Sequence, residues 1–131
     1  MLYDASSIQK ALRTLKAEAA HHLNNQTILD LTLYELGNII WKETNTTEEA
    51  ITRVKALEKI ATIMQIHRIT TEDLTLITQN SAKHNLTFYD STYLTIAQTQ
   101  NTALVTEDQQ LLNAAETAGH PATQLEKLLK Q

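Results

Sequence analysis

Apolar residues recur at helical spacing through most of the chain, and short apolar tracts separate the helical runs. Ile8, Ala11, Leu12, Leu15 and Ala19 repeat every third or fourth position, the spacing of one helical face. Ahead of them Leu2-Tyr3, followed by Asp4-Ala5-Ser6-Ser7, reads as a very short strand turning into that helix. His21, His22, Asn24 and Asn25 read as a solvated polar connection, since adjacent residues on a helix point apart. Thr27-Ile28-Leu29 is a second short strand. A helix follows with Leu33, Leu36, Ile40 and Trp41 as its core face and Ile39 beside it. Thr46-Thr47-Glu48-Glu49 opens a long amphipathic helix whose stripe is Ala50, Ile51, Val54, Leu57, Ile60, Ala61 and Met64. A brief extended segment near Met64-Gln65-Ile66 comes next. Thr71-Glu72-Asp73 then caps a helix with Leu74, Ile77 and Ala82 inside, and Asn85 stops it.

The stretch from Phe88 to Asp108 reads as a helix opening at Asp90, a turn over Gln100 to Thr102, and an apolar strand ending at Thr106. Asp108 starts the next helix, built on Leu111, Leu112, Ala115 and Ala118, with Gly119 at the position just past its end. A last strand at Ala122-Thr123 and a terminal helix through Leu125, Leu128 and Leu129 complete the pattern. Alternating strands and helices predict an α/β fold around a parallel sheet. Right-handed crossovers would then bring every strand-to-helix joint to one edge of that sheet.

The length of 131 residues predicts a single domain spanning 1–131. With no Cys among them, disulfides, thiolate metal sites and Cys nucleophiles are excluded. No long apolar run predicts a membrane span, and Met1-Leu2-Tyr3-Asp4 has no secretory pattern, so a cytoplasmic location is expected. A net charge of −4 does not favour a general nucleic-acid binder, but an acidic metal site would lower the charge without forbidding a nucleic-acid substrate.

Four carboxylates stand at or near predicted strand-to-helix joints: Asp4, Glu35, Asp90 and Asp108. Each has an ordinary alternative role. Asp is a preferred helix N-cap, and Thr32 with Glu35 fits a capping box in which Thr32 is the cap. The capping box does not account for the polar stripe of Glu35, Asn38 and Lys42 on a mostly apolar helix. Gly37 in mid-helix would permit close approach of another backbone or a substrate. The parallel topology brings the four carboxylates together. Two bare carboxylates about 4 Å apart repel by roughly 4 kcal/mol at an effective dielectric of 20. Mg²⁺ or Mn²⁺ relieves such repulsion with oxygen ligands, and the chemistry such a site best supports is hydrolysis of phosphate esters. Lys10, Arg13, Lys16 and Lys42 are candidate phosphate contacts.

Leu31-Thr32-Leu33-Tyr34-Glu35-Leu36-Gly37-Asn38, Tyr89-Asp90-Ser91-Thr92-Tyr93-Leu94-Thr95-Ile96-Ala97 and Leu104-Val105-Thr106-Glu107-Asp108 resemble the three internal motifs of PIN domains. Asp4-Ala5-Ser6-Ser7 resembles the motif that opens the family. The likeness runs over nearly the whole chain and points to the VapC-type toxin ribonucleases of prokaryotic toxin–antitoxin systems. It implies a three-layer α/β/α sandwich with a short parallel central sheet. It also implies Mg²⁺ or Mn²⁺ held by Asp4, Glu35, Asp90 and Asp108, with Ser6, Asn38 and Thr106 as supporting polar residues. An RNA substrate and a VapB-like antitoxin are implied as partners. A homodimer through helical faces such as Ile51-Val54-Met64 is expected as well. The strand ahead of Asp4 is shorter than the family's usual one. Glu107 competes with Asp108 for the ligand role, and the Thr-x-Asp spacing favours Asp108.

Two other readings fit an acidic α/β chain. A receiver-type phosphoacceptor domain needs a Lys after a late strand, and Thr106-Glu107-Asp108 offers none. A catalytically silent PIN-like binding module would keep the fold and cleave nothing.

Overall fold

The computed structural model describes all 131 residues. Five strands, Leu2–Tyr3 (β1), Thr27–Leu29 (β2), Gln65–His67 (β3), Leu104–Val105 (β4) and Ala122–Thr123 (β5), form one sheet. All pairings are parallel, in the order β3-β2-β1-β4-β5. The helices are Ala5–Leu15 (α1), Ala19–Leu23 (α2), Asp30–Glu43 (α3), Thr47–Ile63 (α4), Asp73–His84 (α5), Phe88–Thr99 (α6), Gln109–Thr117 (α7) and Leu125–Leu129 (α8).

Side-chain alternation along the strands divides the core into two layers. Tyr3, Ile28 and Val105 join the cluster under α1, α2, α3, α4 and α8. Leu2, Leu29 and Leu104 join the other, under α6 and α7. Helices therefore cover both faces of a short parallel sheet, which is the three-layer arrangement expected. The strand order differs from the 2-1-3-4-5 order of receiver-type domains, so that alternative falls.

From β1 the chain adds β2 and β3 on one side and then returns to build β4 and β5 on the other. The direction of winding reverses between β1 and β4, and at such a reversal the covering connections part to leave a crevice at the strands' carboxyl ends. The residues that follow β1 and β4 are Asp4 and Thr106 to Asp108.

Several local readings are corrected. α1 ends at Leu15, and Lys16 takes a positive φ of 50° before Ala19 opens α2. His21 and His22 thus lie within a helix, not a loop, and His22 Nε2 meets the Tyr3 hydroxyl at 2.9 Å. α3 begins at Asp30, so Thr32 is a first-turn residue and not the cap; its hydroxyl accepts from the Leu29 amide. Trp41 is 67% exposed, leaving Leu36 and Ile40 as the buried residues of that face. Leu74 and Ala82 are exposed, and Ile77 alone of the predicted trio is buried. No neighbouring atom lies within 4 Å of where a Gly37 Cβ would stand, so no backbone packs there. α6 opens at Phe88 with Thr87 as its cap, which places Asp90 at the third helical position. At the end of α7, Gly119 (φ 70°) and His120 donate to Glu116 and Ala115, the two bonds that close a helix through a left-handed residue.

Candidate active site

Asp4 is the floor of the crevice. It caps α1 by accepting the Ser7 amide on Oδ1 at 2.9 Å. The Ser6 hydroxyl donates to the same oxygen at 2.7 Å, and the Thr106 hydroxyl donates to Oδ2. Ser7 also ties the joint across to β4, donating to the Val105 carbonyl at 2.8 Å. Burial pushes the Asp4 carboxyl above its ordinary range, while the donors from Thr106, Ser7 and Ser6 pull the other way.

The two supporting hydroxyls are themselves held. Ser6 Oγ accepts the Glu107 amide at 2.9 Å, and Thr106 Oγ1 accepts the Asp108 amide at 3.0 Å. The segment after β4 is thereby laced to the segment after β1, as their adjacency in the sheet allows. Asp108 caps α7, accepting the Gln110 amide at 2.9 Å. Glu107 is engaged elsewhere: its Oε2 accepts the Leu125 amide at 2.9 Å at the start of α8. Of the two adjacent acids, Glu107 thus has one oxygen engaged at the start of α8, and Asp108 has one engaged at the start of α7.

Glu35 stands on α3 and is half-buried. Its Oε1 accepts the Tyr93 hydroxyl at 2.5 Å. Its carboxyl is raised first by burial and then by the charges of Asp4 and Asp90, against the Tyr93 hydrogen bond. Asp90, also half-buried, is raised by burial, then by the charges of Asp108 and Asp4. The four predicted acids thus act on one another as like charges. Neither ion pair of the chain, Arg53–Glu43 or Lys130–Glu126, involves any of them. With the side chains as placed, no three acidic or imidazole groups close on a common point as metal ligands. The donor set still matches a hard divalent cation, which takes carboxylate oxygens. Asn38 is exposed on α3 and is not drawn into this hydrogen-bonded set.

Tyr93 was not singled out in the sequence, yet it touches the site directly. It is 2% exposed, and its hydroxyl lies 2.7 Å from Thr32 Oγ1 as well as on Glu35. The signal was its position three residues after Asp90 on the same helical face, a polar-tipped ring inside a run that is otherwise core.

Together these features define a small parallel α/β protein with an acidic crevice at the reversal of strand order. Residues 2–117 match the PIN domain model. The chain is 30% identical over 131 residues to the exonuclease VapC9 of Pyrobaculum aerophilum, covering 99% of this chain and 96% of that protein. The crystal structure of PAE2754 from Pyrobaculum aerophilum superposes with a TM-score of 0.80 at 29% identity, covering 98% of this chain and 85% of that one. A toxin–antitoxin complex from Klebsiella pneumoniae shares the fold, with a TM-score of 0.58 at 20% identity over 82% of this chain and 85% of that one. The chain belongs to the PIN-domain family.

Proposed function

We propose that this protein is a Mg²⁺- or Mn²⁺-dependent ribonuclease that cuts RNA internally, and that it is the toxin of a toxin–antitoxin pair. The observation that carries the reading is the mutual charge of Asp4, Glu35, Asp90 and Asp108 with no protein cation among them. A cluster of this kind weakens a fold unless a cation or protons neutralise it. The relative's name, an exonuclease, supports phosphodiester hydrolysis as the chemistry.

Asp4, Glu35, Asp90 and Asp108 would hold the metal, which when bound supplies an activated water and a centre of positive charge for the phosphate. The chain's own part is positioning. Asp4 is locked by Ser6, Ser7 and Thr106, so the crevice floor is preorganised. Glu35 and Asp90, partly open to solvent, present carboxylates at the side a substrate enters. The test is incubation with single-stranded RNA and Mn²⁺ beside an Asp90→Asn control. Cleavage by the wild type alone supports the enzyme; no cleavage by either leaves the silent binding module.

The partner reading has its support in a groove of about 400 Å³ between α1, α3 and α4, floored by Leu12, Leu36, Ile40 and Leu57. This is a seat for an amphipathic antitoxin segment. The homodimer surface read from the sequence needs revision, because Met64 is buried in the core and Ile51 alone of Ile51, Val54 and Met64 is exposed. Self-association would then use another face.

A further inference from the structure

The hydroxyl chain behind Glu35 has a direction that its partners dictate. The Leu29 amide donates to Thr32 Oγ1 at 3.2 Å. The Tyr93 hydroxyl donates its single proton to Glu35 Oε1 at 2.5 Å, because an ionised carboxylate only accepts. The contact of 2.7 Å between Thr32 and Tyr93 must then carry the Thr32 proton to the Tyr93 oxygen. Every donor in the series Leu29, Thr32, Tyr93 therefore points toward Glu35, and each link polarises the next. Thr32 and Tyr93 are both almost fully buried, so the bond between them is shielded from water.

This series answers a specific difficulty. Glu35 is repelled by Asp4 and Asp90, and nothing else in the chain hydrogen-bonds its carboxylate. A free glutamate in that position would turn away from the other acids. The buried Tyr93 hydroxyl holds one oxygen in place and leaves the other without a protein partner. We propose that Tyr93, oriented by Thr32, is a positioning residue that fixes Glu35 for divalent-cation binding. The proposal rests on the reading of Glu35 as a metal-facing carboxylate.

Removing an outer partner of a ligating side chain typically weakens metal affinity about 10- to 100-fold. Tyr93→Phe keeps the ring in the core and deletes the hydroxyl that donates to Glu35 and accepts from Thr32. Thr32→Val keeps the shape of Thr32 and leaves Tyr93 without its orienting bond, while Thr32→Ser keeps the hydroxyl. Mn²⁺ affinity of the metal-free protein is measured by titration calorimetry, with a cooperative thermal melt confirming each fold. The expected result is about a 10-fold or greater loss for Tyr93→Phe, a smaller loss for Thr32→Val and near wild-type affinity for Thr32→Ser. Thr32→Val added to Tyr93→Phe should cost nothing more, because it acts through the missing hydroxyl. With saturating Mn²⁺, Tyr93→Phe should regain most of its turnover. Glu35→Gln separates the two levels. If it loses affinity while Tyr93→Phe binds as the wild type does, the relay is wrong and the site stands. If Glu35→Gln binds Mn²⁺ unchanged, the site assignment fails and the relay with it. If the losses of Thr32→Val and Tyr93→Phe simply add, the ordered series is overturned.

Discussion

Thr106 donates its hydroxyl proton to Asp4 across 102 positions of sequence. The bond joins the residues that follow β1 and β4, the two strands between which the sheet reverses direction. The same Thr106 oxygen accepts the Asp108 amide, so one small side chain orients an acid from each side of the crevice.

Thr106→Val should therefore cost about 2 kcal/mol of stability, because it strips a donor from a buried carboxylate and orphans a backbone amide. Thr106→Ser should cost much less, since it preserves the hydroxyl. Equilibrium urea unfolding of the two variants decides the point; equal stabilities would show that the hydroxyl contributes only packing.

The acidic cluster should make the metal-free protein less stable as pH rises from roughly 4. Asp4, Glu35 and Asp90 all have carboxyls raised by folding, so the folded state holds protons that the unfolded chain releases. Their stabilising contribution is present at pH values below the ordinary carboxylate range, roughly 4, and is lost as pH rises through the raised values. Asp90→Asn removes one such group, so the variant should gain on the wild type in thermal midpoint as pH rises above roughly 4. Comparing the two proteins cancels the opposite contribution of His22, which burial pushes downward. A difference that stays constant with pH would mean that folding does not raise the Asp90 carboxyl through burial and the neighbouring acids.

Mn²⁺ should raise the thermal midpoint, since a ligand bound only by the native state stabilises it by about 2.7 kcal/mol at a hundredfold excess over Kd. The Glu35→Gln, Asp108→Asn double variant should lose the shift. Glu35→Gln alone should fold normally, because a Gln oxygen still accepts from Tyr93, yet bind Mn²⁺ more weakly. Unchanged metal stabilisation in the double variant would place the cation elsewhere.

A bound antitoxin that fills the crevice with a Lys or Arg would compete with the metal and weaken at high salt, because screening acts on exposed charge contacts. Co-purification with the neighbouring gene product, followed by Mn²⁺ titration of the inhibited complex, checks this. Complete inhibition indifferent to both metal and salt would point to obstruction of the RNA path instead.

The order of strands and helices was legible because the apolar tracts are short and the helical stripes long. The positions of Asp4, directly after β1, and Asp108, three residues past β4, were legible for the same reason, as each lies between a strand and the helix it caps. Boundaries were less so. Thr32 and Asp90 both look like caps, but Leu29 and Thr87 hold those positions, so each helix starts earlier and carries the residue inside its first turn. The partner of Glu35 was hidden because Tyr93 lies 58 positions away, and no local spacing brings α3 beside α6. Trp41 shows the limit of composition: a large aromatic on a helix was assigned to the core, yet it is exposed. The preference for Asp108 over Glu107 rests on the likeness of Thr-x-Asp to the family pattern, and the bond of Glu107 to the Leu125 amide, 18 positions away, has no local signal in the sequence.

If the acidic crevice hydrolyses RNA with a divalent metal, Asp90 is the residue whose loss should abolish cutting without harming the fold. Its amide donates to Thr87 Oγ1, and the same Thr87 hydroxyl is the one hydrogen-bonding group that acts on its carboxyl, an influence that an Asn side-chain oxygen keeps. Asp90→Asn should therefore fold at least as well as the wild type. A circularised single-stranded RNA is incubated with Mn²⁺ and each protein, and linear product is followed on a denaturing gel. Linear product is expected from the wild type, none without metal and none from Asp90→Asn. Equal cutting by the folded Asp90→Asn variant, or no cutting by the folded wild type in Mn²⁺, would contradict it.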